Sequence, residues 1–327
     1  MSNAKKITIA LALVATISYS FVIFSGDSAQ PNDEGCRIIA LGHLYSLQPY
    51  PELQELLVEH LNSTHPDASA IVSLGDNTVQ GTSEEWQSFF EKYEGFDAPL
   101  YFAPGNHDLR TPAAYDNYME QVGYTSKKVS INNCNLILTN TVSPHELDFN
   151  DVEMVKGGGL DDASIALLEG LDSTRTDEAD LLLMHHSLFS IGLIHHDNEW
   201  DTELNRIYEN EKVWREEIQP LIKDRVDAVF AGDMANSAVS HQEIDGIPYV
   251  GNSFGSAFDP DPRSDRRPLS YTVVNVDGEG NIETSIEYLP IPVTSDWFAF
   301  DRDRRFEGFA DQYDDGYDRK EYRYPNR

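Results

Sequence analysis

Seven short apolar runs, separated by stretches with helical spacing, set most of what this chain can fold into. They are RIIAL (37–41), AIVSL (70–74), LYFA (100–103), NLILT (135–139), LLLM (181–184), AVFA (228–231) and PYVG (248–251). Runs this short, bounded by turn residues, fit strands covered on both faces better than buried helices. Between them, Leu53, Leu56, Leu57 and Leu61 fall at helical spacing over 51–62, and 84–93 opens with acidic residues after Thr82 and Ser83. Asp161–Leu171 and Val213–Lys223 follow the same rule. The alternation predicts a layered α/β fold whose sheets are covered by helices. From Leu269 the pattern changes: SYTVVNVDGEGNIETSIEYL holds two alternating runs around Gly278 and Gly280, a β-hairpin. No internal repeat or second boundary interrupts residues 31–294, which read as one domain. Residues 295–327 are rich in Asp, Arg and Tyr without an apolar period and are expected to form a loosely held tail.

The N-terminal residues address the chain. Lys5 and Lys6 precede an 18-residue apolar run, Ile7 to Phe24, broken only by Thr and Ser. A basic segment followed by such a run is an export signal, so residues 1–30 are expected to be a signal peptide or a signal anchor. Ala29 is a candidate cleavage position, but Asp27 at the −3 site is a poor match to the small-x-small rule, which leaves cleavage and anchoring through residues 7–24 both open. The protein is therefore expected in the periplasm or outside the cell. With 56 acidic residues against 24 Lys plus Arg, the formal net charge is -32. Such a surface repels a polyphosphate backbone and excludes nucleic acid as the expected partner. Two cysteines, Cys36 and Cys134, each open an apolar run. They are compatible with a disulfide between neighbouring strands in an oxidising compartment, and equally with two buried thiols.

Polar residues cluster just after the strands, where open α/β sheets place their ligand sites. Leu41-Gly42-His43 follows the first run, Gly75-Asp76-Asn77 the second, and Gly105-Asn106-His107-Asp108 the third. His185-His186 follows the fifth and Gly232-Asp233 the sixth. Singly, each is an ordinary turn. Together, carboxylate, amide and imidazole groups at five strand ends describe a metal site of mixed oxygen and nitrogen ligands.

In order and spacing these motifs resemble the calcineurin-like metallophosphoesterases, which include purple acid phosphatases and cyclic-nucleotide phosphodiesterases. SLGDNTVQGTSEEWQSFF (73–90), PLYFAPGNHDLR (99–110), KGGGLDDASIALLEGL (156–171), DLLLMHHSLF (180–189) and DAVFAGDMANS (227–237) carry the likeness over residues 37–290. The resemblance implies a four-layer α-β-β-α sandwich of two mixed sheets. It implies hydrolysis of a small phosphomonoester or phosphodiester with the help of divalent ions (Mn, Fe, Zn or Mg). Asp76 would be the carboxylate shared by two ions, with Asn106 and His185 on one of them and His43 on the other. His107 would donate a proton to the leaving oxygen or steady the phosphoryl group, oriented by Asp108.

Two motifs depart from the family pattern. The first aspartate of Asp-x-His falls on Leu41, and Gly-His-x-His falls on Gly232-Asp233-Met234-Ala235. One half-site keeps Asp76, Asn106, His185 and Asp233; the other keeps only His43 and the shared Asp76. Zinc sites normally draw three or four ligands from the protein, so the second half is too poor to hold an ion firmly. Three expectations follow: a hydrolase with one ion, a second half-site rebuilt from His186, His195, His196 or His241, or a non-catalytic binding or scaffold protein, for instance in assembly of an exported polymer. GIPYVGNSFG (246–255) is a candidate phosphate-lining turn, and Tyr45, Tyr50 and Trp200 are candidate stacking rings.

Overall fold

Each apolar run becomes a strand because its residues find apolar neighbours on both faces. In a computed structural model, residues 35–142, 159–171, 178–187, 214–233, 239–252, 254 and 269–291 are described. The first sheet contains β1 (Cys36–Leu41), β2 (Ala70–Ser73), β3 (Leu100–Phe102), β10 (Ser270–Val276) and β11 (Ile282–Tyr288), in the order β11-β10-β1-β2-β3. The second contains β4 (Lys127–Ile131), β5 (Cys134–Leu138), β6 (Ala179–His186), β7 (Ala228–Asp233), β8 (Val239–Ile244) and β9 (Ile247–Asn252), ordered β4-β5-β6-β7-β9-β8. Both sheets are mixed: β1, β2 and β3 run parallel, as do β5, β6, β7 and β9, while β10, β11, β4 and β8 pair antiparallel at the flanks.

Alternation along the strands divides the interior into three layers. Ile38, Ala40, Val72 and Leu74 of the first sheet meet Leu136, Leu138, Leu181, Leu183 and Phe230 of the second in a central core. On the outer face of the first sheet, Ile39, Leu41 and Ile71 pack under Leu53, Leu57 and Leu61 of α1 (Pro51–Thr64) and Trp86 and Phe89 of α2 (Ser83–Tyr93). Tyr118 of α3 (Pro112–Gln121) belongs to the same cluster. On the outer face of the second sheet, Ile137, Leu182 and Val229 pack under Leu168 of α4 (Asp162–Glu169) and Ile222 of α5 (Gln219–Ile222). This is the expected four-layer sandwich. Helix starts follow from capping: Thr82 and Glu85 form a reciprocal capping box on α2, and the Thr111 and Asp161 side chains accept from Ala114 and Ser164 amides.

Several expectations change on inspection. The two cysteines are disulfide-bonded, but from β1 to β5, which lie in facing sheets rather than as neighbouring strands. The helix expected over Val213–Lys223 is a π-helical turn, Trp214–Ile218, followed by the single turn of α5, because Pro220 removes a ladder donor. Within GIPYVGNSFG (246–255), Gly246 forms with Asp245 the tight β8–β9 turn (φ 81° and 53°), at the end of the sheet opposite the C-terminal end of β7, while Ser253 and Gly255, in the turn after β9, lie outside the described residues. Tyr50 is buried in the outer core beside α1. The expected leader (1–30), the tail (295–327), His195, His196, Trp200, Met234, Ala235 and Gly255 lie outside the described residues. Among the described residues no helix is long and apolar enough to cross a membrane.

Candidate metal centre

The C-terminal ends of β1, β2, β6 and β7 point to the same edge of the sandwich and bring their polar residues together. Gly75 (φ 90°) and Asp76 (φ 58°) turn the chain sharply out of β2, and His43 (φ 52°) does the same after β1. Left-handed backbone in Asp and His is uncommon and gathers where structure holds a functional side chain in place. Gly75 also has no room for a side chain, since a Cβ there would fall 2.5 Å from His185 Nδ1. The glycines before His43, Asp76, Asn106 and Asp233 thus admit the neighbouring segments, since a Cβ on any of them would meet backbone or side-chain atoms within 2.6 Å.

His43, Asp76, His185 and Asp233 form one buried cluster. His43 Nε2 lies 3.2 Å from Asp76 Oδ2 and 3.3 Å from Asp233 Oδ1. His185 Nε2 lies 3.3 Å from Asp76 Oδ1 and 3.9 Å from Asp233 Oδ2. Each carboxylate therefore spans both imidazoles. Ligand atoms of His43, His185 and Asp233 all lie within 4.8 Å of one another, a spacing that one ion can bridge. Asn106 Oδ1 approaches His185 Nε2 at 3.1 Å and His186 Nε2 at 3.2 Å.

The chemistry of these atoms fits a cation. Among the described residues the Nδ1 of His185 meets the Leu74 carbonyl, at 2.7 Å, so Nδ1 carries a proton that it donates there. In the neutral ring Nε2 is then a lone pair, aimed at three further acceptor oxygens. Electrostatics gives the same answer. Burial opposes a charge on His43, but the carboxylates of Asp233 and Asp76 outweigh it and raise its pKa to about 10. Burial pushes Asp76 up, and His185, His107 and His43 more than reverse this, holding it well below the usual carboxylate range. Asp233 is lowered in the same way, against burial, chiefly by His43. A proton on His43 thus offsets one of the two buried negative charges, where a divalent ion would offset both.

The loop after β3 supplies the remaining groups. Asp108, fully buried, accepts six hydrogen bonds: from the backbone N–H groups of Asp76, Asn77, Thr78 and Gly105, and from the Asn77 and Thr78 side chains, all at 2.9–3.1 Å. His107 donates its backbone N–H to Asp76 Oδ1 at 3.0 Å. Its ring is held by the Val79 carbonyl, 2.8 Å from Nδ1, and not by Asp108 as the motif suggested. The half-exposed Tyr45 stacks on the His107 ring, with centroids 4.9 Å apart.

A family model for calcineurin-like phosphoesterases matches residues 36–237, more than half of the chain. The chain belongs to this family. The match ends before β10 and β11, which nonetheless complete the first sheet of this phosphoesterase fold. A probable glycerophosphodiester phosphodiesterase GpdQ of Arcobacter nitrofigilis is 29% identical over 144 residues, covering 42% of this chain and 49% of the relative. The alignment thus spans about half the length of that curated relative. Among solved structures, GAP50, the anchor in the inner membrane complex of Plasmodium, superposes with a TM-score of 0.54 at 12% identity, covering 78% of this chain and 85% of its own. Purple acid phosphatase PPD1 from yellow lupin (Lupinus luteus) gives 0.47 at 11% identity, covering 79% and 52%. GAP50 and this chain share the fold.

Of the residues singled out by sequence, the fold gathers His43, Asp76, Asn106, His185 and Asp233 at one place, with His107 and Asp108 alongside. The two half-sites do not separate as expected, because Asp233 bonds His43 as well as facing His185. Leu41 points into the outer core, fully buried. His241 is exposed on edge strand β8, outside the cluster, whereas His186 lies within it. The supporting contacts from Leu74, Val79 and Thr141 had no signature in the sequence: two are backbone carbonyls, and the third is a threonine in an ordinary Thr-Asn-Thr run.

Proposed function

We propose that the chain is an exported phosphoesterase that hydrolyses a small phosphomonoester or phosphodiester with one tightly held divalent cation. The observation that carries this is the convergence of His43 and His185 Nε2 on two shared carboxylates, Asp76 and Asp233, inside a phosphoesterase fold. Four ligands suffice for a firmly bound ion. The carboxylate that replaces an imidazole at Asp233 hardens the donor set, which favours Mn²⁺ or Mg²⁺ over softer ions. A bound ion would supply a nucleophile at neutral pH and offset the charge that spreads over the phosphoryl oxygens.

The chain's own groups do the rest. Asn106 adds its amide oxygen to the donor set. His107, whose Nδ1–H is committed to the Val79 carbonyl, keeps Nε2 for a proton delivered to the leaving oxygen. Asp108 fixes the Gly75–Thr78 loop and thereby the carboxylate of Asp76. Export is supported by Lys5 and Lys6 ahead of the 7–24 apolar run and by the Cys36–Cys134 bond, which persists in an oxidising compartment. A charge of -32 argues for a small phosphorylated substrate rather than nucleic acid.

A second reading, a binding or scaffold protein, draws on Leu41: an apolar residue stands where the family pattern carries its first aspartate, and it is packed in the core. The fold likeness to GAP50, an anchor in the inner membrane complex of Plasmodium, is in keeping with that alternative. The test is turnover of p-nitrophenyl phosphate and bis-p-nitrophenyl phosphate by the full-length chain after chelation and reconstitution with Mn²⁺, Mg²⁺, Zn²⁺ or Fe²⁺. Ion-dependent turnover that Asp76→Ala abolishes supports the hydrolase. No turnover with any ion leaves the scaffold.

A further inference from the structure

His186 is fully buried beside the cluster, and its hydrogen bonds assign its proton. Its backbone N–H donates to Thr141 Oγ1 at 3.0 Å. The Thr141 hydroxyl is itself fully buried, and among the described residues the acceptor it meets is His186 Nδ1, also at 3.0 Å. A buried hydroxyl proton without an acceptor is costly, so Thr141 donates to Nδ1. Nδ1 is then the lone pair of a neutral ring, and Nε2 carries the proton. That proton is donated to Asn106 Oδ1 at 3.2 Å. The preceding residue is the opposite case, because the Leu74 carbonyl takes the Nδ1 proton of His185.

We propose that His186 is a positioning residue, in the tautomer opposite to that of His185, which fixes the Asn106 amide with its oxygen toward the metal centre. Thr141, His186 and Asn106 form a chain of donors that ends on the lone-pair side of the site. Without it, the Asn106 amide can turn, and its NH₂ group would then face His43, His185 and the ion they hold. Outer contacts of this kind set the geometry of ligands they do not replace. The inference rests on the metal centre of the proposed function, but the tautomer itself is a property of the ion-free protein.

The experiment uses the full-length chain labelled with ¹⁵N at histidine, with long-range ¹H–¹⁵N correlations of the imidazole rings recorded without metal. The ring resonance missing from His186→Gln identifies residue 186. Mn²⁺ affinity is measured in parallel by chelator competition for the parent, His186→Ala and His186→Gln. The expected result is an Nε2–H ring for His186, and Mn²⁺ affinity lowered by roughly 10–100-fold in His186→Ala. His186→Gln, which retains a side-chain N–H donor, should recover most of that loss. An Nδ1–H ring, equal affinity in all three proteins, or loss of the Nε2 proton on Mn²⁺ addition, which would make His186 a ligand, overturns the proposal. A parent that binds Mn²⁺ but hydrolyses no ester removes the proposed hydrolase alone. A parent that binds no ion overturns both.

Discussion

Replacing Asp108 by asparagine turns one of two saturated oxygens into an amino group. Oδ2 accepts from the backbone N–H of Asp76 and of Gly105 and from Asn77 Nδ2; Oδ1 accepts from the N–H groups of Asn77 and Thr78 and from Thr78 Oγ1. If Oδ2 is replaced, three buried N–H donors face another donor; if Oδ1 is replaced, two do, because the Thr78 hydroxyl can turn to accept. Each unsatisfied buried donor costs ~1–3 kcal/mol, so Asp108→Asn should destabilise by roughly 3–5 kcal/mol once the loop has relaxed. Against a total stability of about 5–15 kcal/mol this is a large loss. In urea unfolding followed by tryptophan fluorescence, with a slope of about 3 kcal/mol/M, the midpoint should fall by roughly 1–1.7 M. Metal binding should weaken together with stability, because the same loop carries Asp76. A variant that keeps its midpoint within about 0.3 M of the parent while losing turnover would refute the reasoning. Asp108 would then take part in the chemistry rather than hold the loop.

Three further outcomes follow from other parts of the molecule. Asp76→Ala should abolish both ion binding and turnover while leaving the circular dichroism spectrum unchanged; retained ion binding would remove Asp76 from the ligand set. The Cys36–Cys134 bond closes a segment with a sequence separation of 98, so reducing it, or making Cys36→Ser with Cys134→Ser, should destabilise by at most about 4.7 kcal/mol in a chain-entropy account. No change in the unfolding midpoint would contradict that. Glu287 is held below its ordinary 4.5, first by its hydrogen bond to His65 and further by the Tyr271 hydroxyl, against partial burial. A depressed carboxylate contributes stability that is present above its unfolded pKa and lost as pH falls through the folded value. Unfolding free energy should therefore decline on acidification below about 4.5, and Glu287→Gln should flatten that decline; an unchanged slope would show that the His65–Tyr271–Glu287 contacts do not contribute it.

What the sequence made visible, and what it hid, divides along physical lines. Strands buried on both faces leave continuous apolar runs, so every one of the seven runs falls on a strand. Edge strand β4, KKVSI, is exposed for much of its length and carries lysines, the composition that protects an edge, so its alternation was too weak to register. In α3, PAAYDNYMEQ buries only Ala114 and Tyr118, which left no helical stripe to read. The candidate ligands were legible because parallel strands deliver the residues after them to one edge of the sheet. Their supports were not: the carbonyls of Leu74 and Val79 reach His185 and His107 through backbone geometry that any residue type could supply. The division into two half-sites also failed, since a carboxylate at position 233 can span two histidines where the family pattern has imidazole.

The central claim is a cation held by His43, Asp76, His185 and Asp233 in a fold built for phosphoryl chemistry. Elemental analysis tests it most directly, on the full-length protein purified without chelators and re-equilibrated in turn with Mn²⁺, Mg²⁺, Zn²⁺ and Fe²⁺. One tightly bound ion per chain is expected, lost in Asp76→Ala. A parent that retains no ion under any of these conditions would contradict it.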